Sequence, residues 1–254
     1  KKNLLWGLFM QLVDYLGRLE DRIDELKANI AVIGLGYVGL PTAIAFHNAG
    51  FNVVGVDASP NVINSLKNGH SPITEEVGME IPHGSRWEVT SEFENSIEKC
   101  DLVIVCVPTP VDENLHPDIS AIDSALDSVM MSINNDNKTV IILESTVQPG
   151  TTRNCIKLSS DKHPESKERI LMAYCPERVS PGEGGYGVED VPRVIGSEHE
   201  ELTRILSKLY GKITSGDVIP VSSIEVAEAS KLVENAQRDI DLAFANELAI
   251  LLPR

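Results

Sequence analysis

Gly34-Leu35-Gly36-Tyr37-Val38-Gly39 has the spacing GxGxxG. It lies between an apolar run, Ile30-Ala31-Val32-Ile33, and a stretch of helical periodicity that continues to His47. In that setting Gly34 permits a tight turn, Gly36 lets the backbone approach a pyrophosphate, and Gly39 lets the helix pack close on the strand. Tyr37 and Val38 stand at the start of the helix, whose free N–H groups would face the phosphates. Asp57 ends a second apolar run, Val53 to Val56, 18 positions past Gly39. A carboxylate at that place holds ribose hydroxyls and repels a 2′-phosphate. Ala58-Ser59-Pro60 offers no arginine to receive such a phosphate, so NAD rather than NADP is the expected cofactor. The alternative, a glycine-rich turn with no ligand, leaves the strand, the helix and Asp57 as coincidences.

Three polar segments follow later apolar runs, where a doubly wound sheet places its ligands. They are Val107-Pro108-Thr109-Pro110, Glu144 to Thr152 (ESTVQPGTT, with Ser145 and Thr146 at its head), and Cys175 to Gly182 (CPERVSPG, with Glu177, Arg178 and Val179). Each taken singly could be turn chemistry that merely ends a strand. Lys231 and Asn235 are four apart, so they share one face of a helix. From there a lysine and an asparagine can donate hydrogen bonds to developing negative charge. Spacing alone leaves open a solvated face on which Glu228 pairs with Lys231.

The elements that must position these residues alternate. Apolar runs at Ile30–Ile33, Val53–Val56, Leu102–Val107, Val140–Leu143 and Ile170–Ala173 are separated by helical patterns. Strands apolar on both faces between helices predict an α/β fold, a doubly wound parallel sheet. After Pro220-Val221-Ser222-Ser223, a capped helix is expected to run to about Leu252 without glycine or proline. At the other end Leu5, Phe9, Leu12, Leu16, Leu19, Ile23 and Leu26 are spaced 4, 3, 4, 3, 4, 3. That seam suits a helix packed on its own domain or a self-associating coiled coil. The expected organisation is a helical extension over 1–28, a cofactor domain over 29–221 and a long helix over 222–254.

Composition narrows the partners. The 254 residues carry 22 Lys+Arg against 38 Asp+Glu, a formal charge of −16, which disfavours nucleic acid as a partner. The apolar fraction of 42% is that of a folded globular chain. Cys100, Cys106, Cys155 and Cys175 form no CxxC pair, and the six histidines lack ligand spacing, so neither a disulfide framework nor a metal site is expected. Lys1-Lys2 before Leu4–Val13 imitates a signal peptide, but Gln11 and Asp14 interrupt it and no cleavage site follows. Neither export nor a membrane span is expected, and the location expected is cytoplasmic. The long helix and the N-terminal seam favour a homo-oligomer.

GLGYVGLP at Gly34–Pro41, VPTP at Val107–Pro110, ESTVQPGTT, CPERVSPG and KLVEN at Lys231–Asn235 occur in one order, and together they resemble the UDP-glucose/GDP-mannose dehydrogenase family. The resemblance runs from about Asn29 to Arg254, and the PERVSPG form is similar to the UDP-N-acetylhexosamine branch. It implies oxidation of a C6 alcohol to a carboxylate with two NAD, through a cysteine thiohemiacetal and thioester. Carried over by motif, Lys231 and Asn235 would stabilise the oxyanion and orient water. Glu177 would assist hydrolysis, and Thr146 would order a water. Thr109 and Pro110 would line the nicotinamide side, while Arg178 and Val179 would contact the sugar nucleotide. Pro181 stands where glucose-type members carry a second glutamate. The family's nucleophilic cysteine lies in a GxCxPxD-like segment beyond the long helix, a context that none of the four cysteines has. The chain is therefore expected to hold the cofactor domain and the start of a linker helix, binding NAD without completing the oxidation. UDP-glucose as substrate, a two-electron hydroxyacid dehydrogenase of the 6-phosphogluconate type, and a non-catalytic NAD-sensing module are the alternatives.

Overall fold

The computed structural model describes residues 2–73, 79–133, 138–177 and 191–252. Helix α1 (Lys2–Asp24) leads into β1 (Asn29–Ile33), α2 (Gly39–Asn48), β2 (Asn52–Val56), α3 (Pro60–Lys67) and β3 (Trp87–Thr90). Then come α4 (Glu94–Ile97), β4 (Leu102–Val105), α5 (Ser120–Ser132), β5 (Thr139–Leu143), α6 (Thr151–Lys162) and β6 (Ile170–Tyr174). The described chain closes with β7 (Arg193–Ser197), α7 (Glu200–Tyr210), β8 (Val218–Pro220) and α8 (Ile224–Leu251).

The eight strands form one sheet in the order β3-β2-β1-β4-β5-β6-β7-β8. The first six are parallel, β7 pairs antiparallel to β6, and β8 pairs parallel to β7. Strand order reverses between β1 and β4, which opens a crevice at the carboxyl ends of those strands. Residues alternate across the pleat. Ile30, Val32, Leu102 and Ile104 therefore face a core with α2, α3, α7 and the end of α1, whereas Ala31, Ile33, Val103 and Val105 face α5, α6 and the start of α8. Strands β4 and β5 are buried at every residue, which is why their sequences are apolar without alternation.

Three strands depart from the sequence expectation. In β3 only Val89 is buried, in β7 a charged residue opens the run, and β8 is a three-residue edge strand ending in Pro220. None of these shows the four-residue apolar signature. The apolar run Leu102–Val107 continues two residues past β4, which ends at Val105 as expected.

Helix α1 divides in two. Its C-terminal half buries Leu16, Leu19 and Ile23 in the same core as β1 and α7. Glu20 adds a clamp, accepting hydrogen bonds from Arg204 at 2.6 and 2.7 Å and a further one from Lys208, both on α7. By this burial and this clamp, the C-terminal half of α1 packs against α7 and the core beneath it. Toward the N-terminus, Leu12 packs partly against that core and Phe9 is 55% exposed.

Helix α8 starts as expected, with the Ser223 hydroxyl accepting from the Val226 N–H at 3.3 Å. Ile224, Ala227, Glu228 and Lys231 are buried on the domain, and from Ala236 to Leu252 every residue is exposed.

Candidate active site

Gly34 has φ +88°, and a β-carbon on it would lie 2.8 Å from the Cys106 carbonyl oxygen. One on Gly39 would lie 1.8 Å from the Gly34 oxygen, so these two glycines are required by the protein's own packing. Gly36 differs: nothing lies within 4 Å of where its β-carbon would be. It faces open space at the start of α2, whose N-cap residue Val38 supplies no side-chain hydrogen bond. The Asp57 carboxylate ties the loop down, with Oδ2 accepting from the Leu35 N–H and Oδ1 from the Ser59 N–H, both at 2.8 Å. Each oxygen keeps a second lone pair.

A cleft of about 480 Å³ runs along this edge of the sheet. Gly34, Gly36, Tyr37, Val38 and Asp57 are part of its lining, together with Val107, Pro108, Thr109, Ser145, Thr146 and Glu177 from the later loops. The two central loops are laced together. Thr109 Oγ1 donates to the Thr146 carbonyl at 2.8 Å, Ser145 Oγ to the Val107 carbonyl at 2.6 Å, and Tyr174 Oη to the Ser145 carbonyl at 3.1 Å. Pro110 lies outside the lining and closes the following loop by accepting from the Asp118 N–H at 2.7 Å. Gly39 lies behind the cleft, under Gly34.

Lys231 is 5% exposed. Its Nζ donates to the Glu177 carbonyl at 2.7 Å and to Glu177 Oε1 at 3.0 Å, which joins α8 to the loop after β6. Glu228 is therefore not its partner. Glu228 is fully buried and accepts from the Gly150 and Thr152 N–H groups at 2.5 and 2.8 Å, capping α6. Asn235 is one turn farther along α8 and half-buried. Arg178 and Val179 lie outside the described residues.

Two lining residues were given no site role by the sequence, Cys106 and Glu144. Glu144 is fully buried; its Oε1 accepts from the Tyr210 hydroxyl at 2.7 Å, and its Oε2 lies 3.6 Å from Arg193 Nη1. Burial pushes the Glu144 carboxyl above its ordinary range, while Arg193 and the Tyr210 hydroxyl act against that rise. No spacing rule links positions 144, 193 and 210, so these partners were invisible before the fold.

All four cysteines are free and buried. Burial pushes the thiols of Cys100, Cys155 and Cys175 up to about 12 and that of Cys106 well above its usual value. Thiols held protonated in this way are not nucleophiles. Among the described residues no group of three His, Cys, Asp or Glu side chains is placed to hold a metal, and no helix is long and apolar enough to cross a membrane.

Residues 28–214 match the family model described as the NAD-binding domain of the UDP-glucose/GDP-mannose dehydrogenase family. A UDP-N-acetyl-D-glucosamine 6-dehydrogenase of Pseudomonas aeruginosa is 35% identical over 234 residues, 91% of this chain and 54% of that protein. A UDP-N-acetyl-D-mannosamine dehydrogenase of Methanocaldococcus jannaschii is 36% identical over 230 residues, 89% of this chain and 52% of that protein. The solved UDP-D-ManNAc dehydrogenase of Pyrococcus horikoshii superposes with a TM-score of 0.75 at 32% identity, covering 88% of this chain and 53% of that one. The chain thus spans about half the length of the curated relatives it matches. The cleft fits the NAD that the family model names: among the described residues nothing lies within 4 Å of where a Gly36 β-carbon would be, and the Asp57 carboxylate in the same lining could accept from ribose hydroxyls.

Proposed function

The chain belongs to the UDP-glucose/GDP-mannose dehydrogenase family, and on that premise we propose that it serves as the cofactor-binding part of an enzyme that oxidises the C6 alcohol of a UDP-N-acetylhexosamine to the uronate. The reaction takes four electrons, and NAD, when bound, supplies the hydride acceptor for each of its two steps. The reading rests chiefly on one observation. Thr146 and Glu177 share a cleft with the glycine loop, and Glu177 holds Lys231 by two hydrogen bonds.

Among the described residues Lys231 gives two of its three N–H donors, both to Glu177. A buried ammonium there stabilises negative charge developing on the substrate oxygen, because it is fixed before the reaction and screened from water. Asn235, one turn away, donates to the same region and orients water. The Glu177 carboxylate assists hydrolysis of an acyl intermediate. Thr146 orders a water at the loop it shares with Ser145, and Thr109 and Pro110 flank the nicotinamide side. Arg178 and Val179, next in the chain after Glu177, contact the sugar nucleotide. The nucleophilic thiol comes from outside this chain, a reading supported by the burial of all four cysteines.

Exposed apolar residues Ile240, Phe244 and Leu251 on α8 support association of like subunits through that helix. Free thiols suit a reducing compartment, and the enzyme is read as cytoplasmic.

The test is the ratio of NADH formed to sugar consumed, measured on the intact protein that carries this chain, with the gluco, manno and galacto epimers of UDP-N-acetylhexosamine. Two per sugar supports the reading, and the active epimer names the substrate. One per sugar indicates a two-electron alcohol dehydrogenase and removes the roles given to Glu177 in hydrolysis. Turnover of UDP-glucose alone transfers the assignment to that substrate.

A further inference from the structure

A buried ion pair stands at the floor of the cleft, unused by any role given above. The register that pairs Val105 with Leu143 and Leu143 with Tyr174 carries on one residue past the strands. There the Cys106, Glu144 and Cys175 N–H groups still donate to Ile33, Val105 and Leu143 carbonyls, so Glu144 sits in the middle of a row of three. Glu144 is part of the cleft lining and Arg193 is not. Both side chains have no exposed area, and the guanidinium carbon lies 5.6 Å from the Tyr210 ring centroid.

The pair is poorly made for cohesion. A guanidinium that serves packing offers its planar fork to carboxylates or carbonyls. Here Nε, Nη1 and Nη2 have no hydrogen-bond partner among the described residues, and Nη1 stands 3.6 Å from Glu144 Oε2, beyond hydrogen-bond distance. What the pair does supply is a fixed dipole, with its negative end at the cleft wall and its positive end behind. Asp57 would hold the ribose and Gly34–Gly36 would take the pyrophosphate, which leaves Val107, Ser145 and Glu144 of the same lining for the nicotinamide side.

We propose that Glu144, backed by Arg193, sets the preference of this cleft between oxidised and reduced cofactor. The oxidised nicotinamide ring is a cation and the reduced ring is neutral, so a carboxylate at the wall favours the first over the second. Arg193 keeps the site close to neutral overall, which lets a carboxylate persist in a buried place. The inference rests on the NAD assignment alone and not on the identity of the sugar.

The test measures binding with the whole chain. NADH is titrated by its fluorescence and NAD by displacement of NADH, on the wild type, E144Q and E144Q/R193M. E144Q leaves the guanidinium unbalanced and is expected to weaken NAD relative to NADH by about tenfold. That is the order given by a unit charge roughly 10 Å away at an effective dielectric of about 20. E144Q/R193M removes both charges and is expected to recover part of that loss yet stay short of the wild-type ratio, because the nearer, negative end of the pair is gone. A full return to the wild-type ratio would show that the pair sets no preference and would overturn the proposal. Equal weakening of both nucleotides by E144Q, or an unchanged ratio in a folded variant, overturns the proposal and leaves the pair a structural one. Where circular dichroism shows E144Q unfolded, E144D decides, since it keeps the charge and draws it back by one methylene. A smaller shift in the same direction supports the proposal, and an unmoved ratio refutes it. Absence of NADH binding to the wild type strikes instead at the cofactor assignment, and the proposal falls with it.

Discussion

The three glycines of the loop should separate under substitution by alanine, because only two of them are held by the protein itself. At Gly39 the new methyl would sit 1.8 Å from the Gly34 carbonyl oxygen, a backbone atom that no rotamer change can move. G39A must push α2 away from β1, and a loss above about 4 kcal/mol or outright unfolding is expected. At Gly34 two costs add. The φ of +88° is unfavourable to an L side chain by roughly 1–2 kcal/mol, and a contact of 2.8 Å to the Cys106 carbonyl oxygen needs a shift of the loop. Together these give about 2–4 kcal/mol for G34A. G36A meets no atom within 4 Å and should stay within about 0.5 kcal/mol of wild type. Its methyl instead occupies the space where the backbone would approach a pyrophosphate, so NADH affinity should fall by about tenfold or more. Urea denaturation gives the stabilities and NADH fluorescence the affinities. A G36A protein as unstable as G34A, or one that binds NADH like the wild type, would refute this division of labour.

Two further outcomes concern how α1 and α8 are fastened. Hydrogen bonds from Arg204 and Lys208 hold the Glu20 carboxyl down at about 2 against an ordinary 4.5, so the clamp contributes fully above about 4.5 and is lost as pH falls through about 2. The urea midpoints of wild type and E20Q should therefore differ at neutral pH and converge in strong acid, with a constant difference counting against the clamp. Glu228→Ala removes a buried carboxylate from two backbone N–H groups and should cost about 2–4 kcal/mol by urea denaturation; a loss below ~1 kcal/mol would mean that the α6 cap is dispensable.

What could be read in advance follows from the range over which each signal acts. The glycine loop, Asp57 and the five buried apolar strands are local patterns, and each stands where its pattern places it. Two of the helical signals were half-legible. The period of α1 marks Leu16, Leu19 and Ile23 as a seam, yet nothing in it names α7 as the surface that receives them. On α8, Lys231 and Glu228 sit one turn apart and suggest each other as partners. The fold gives Lys231 to Glu177 and Glu228 to the α6 N-terminus, because contacts 54 and 76 residues away in sequence outcompete the near one. Arg193 was the least legible. A charge at the head of an apolar run reads as a solvent-facing end, and only the antiparallel return of β7 puts it inside, against Glu144 and Tyr210.

The central claim, that this cleft is an NAD site selected by Asp57, is tested most directly by calorimetric titration of the chain with NAD and with NADP, repeated on D57N. The account predicts one NAD per chain, NADP weaker by about an order of magnitude or more, and loss of that discrimination in D57N as the charge facing the 2′-phosphate disappears. NADP bound as tightly as NAD by the wild type, or heat from neither nucleotide, would contradict it.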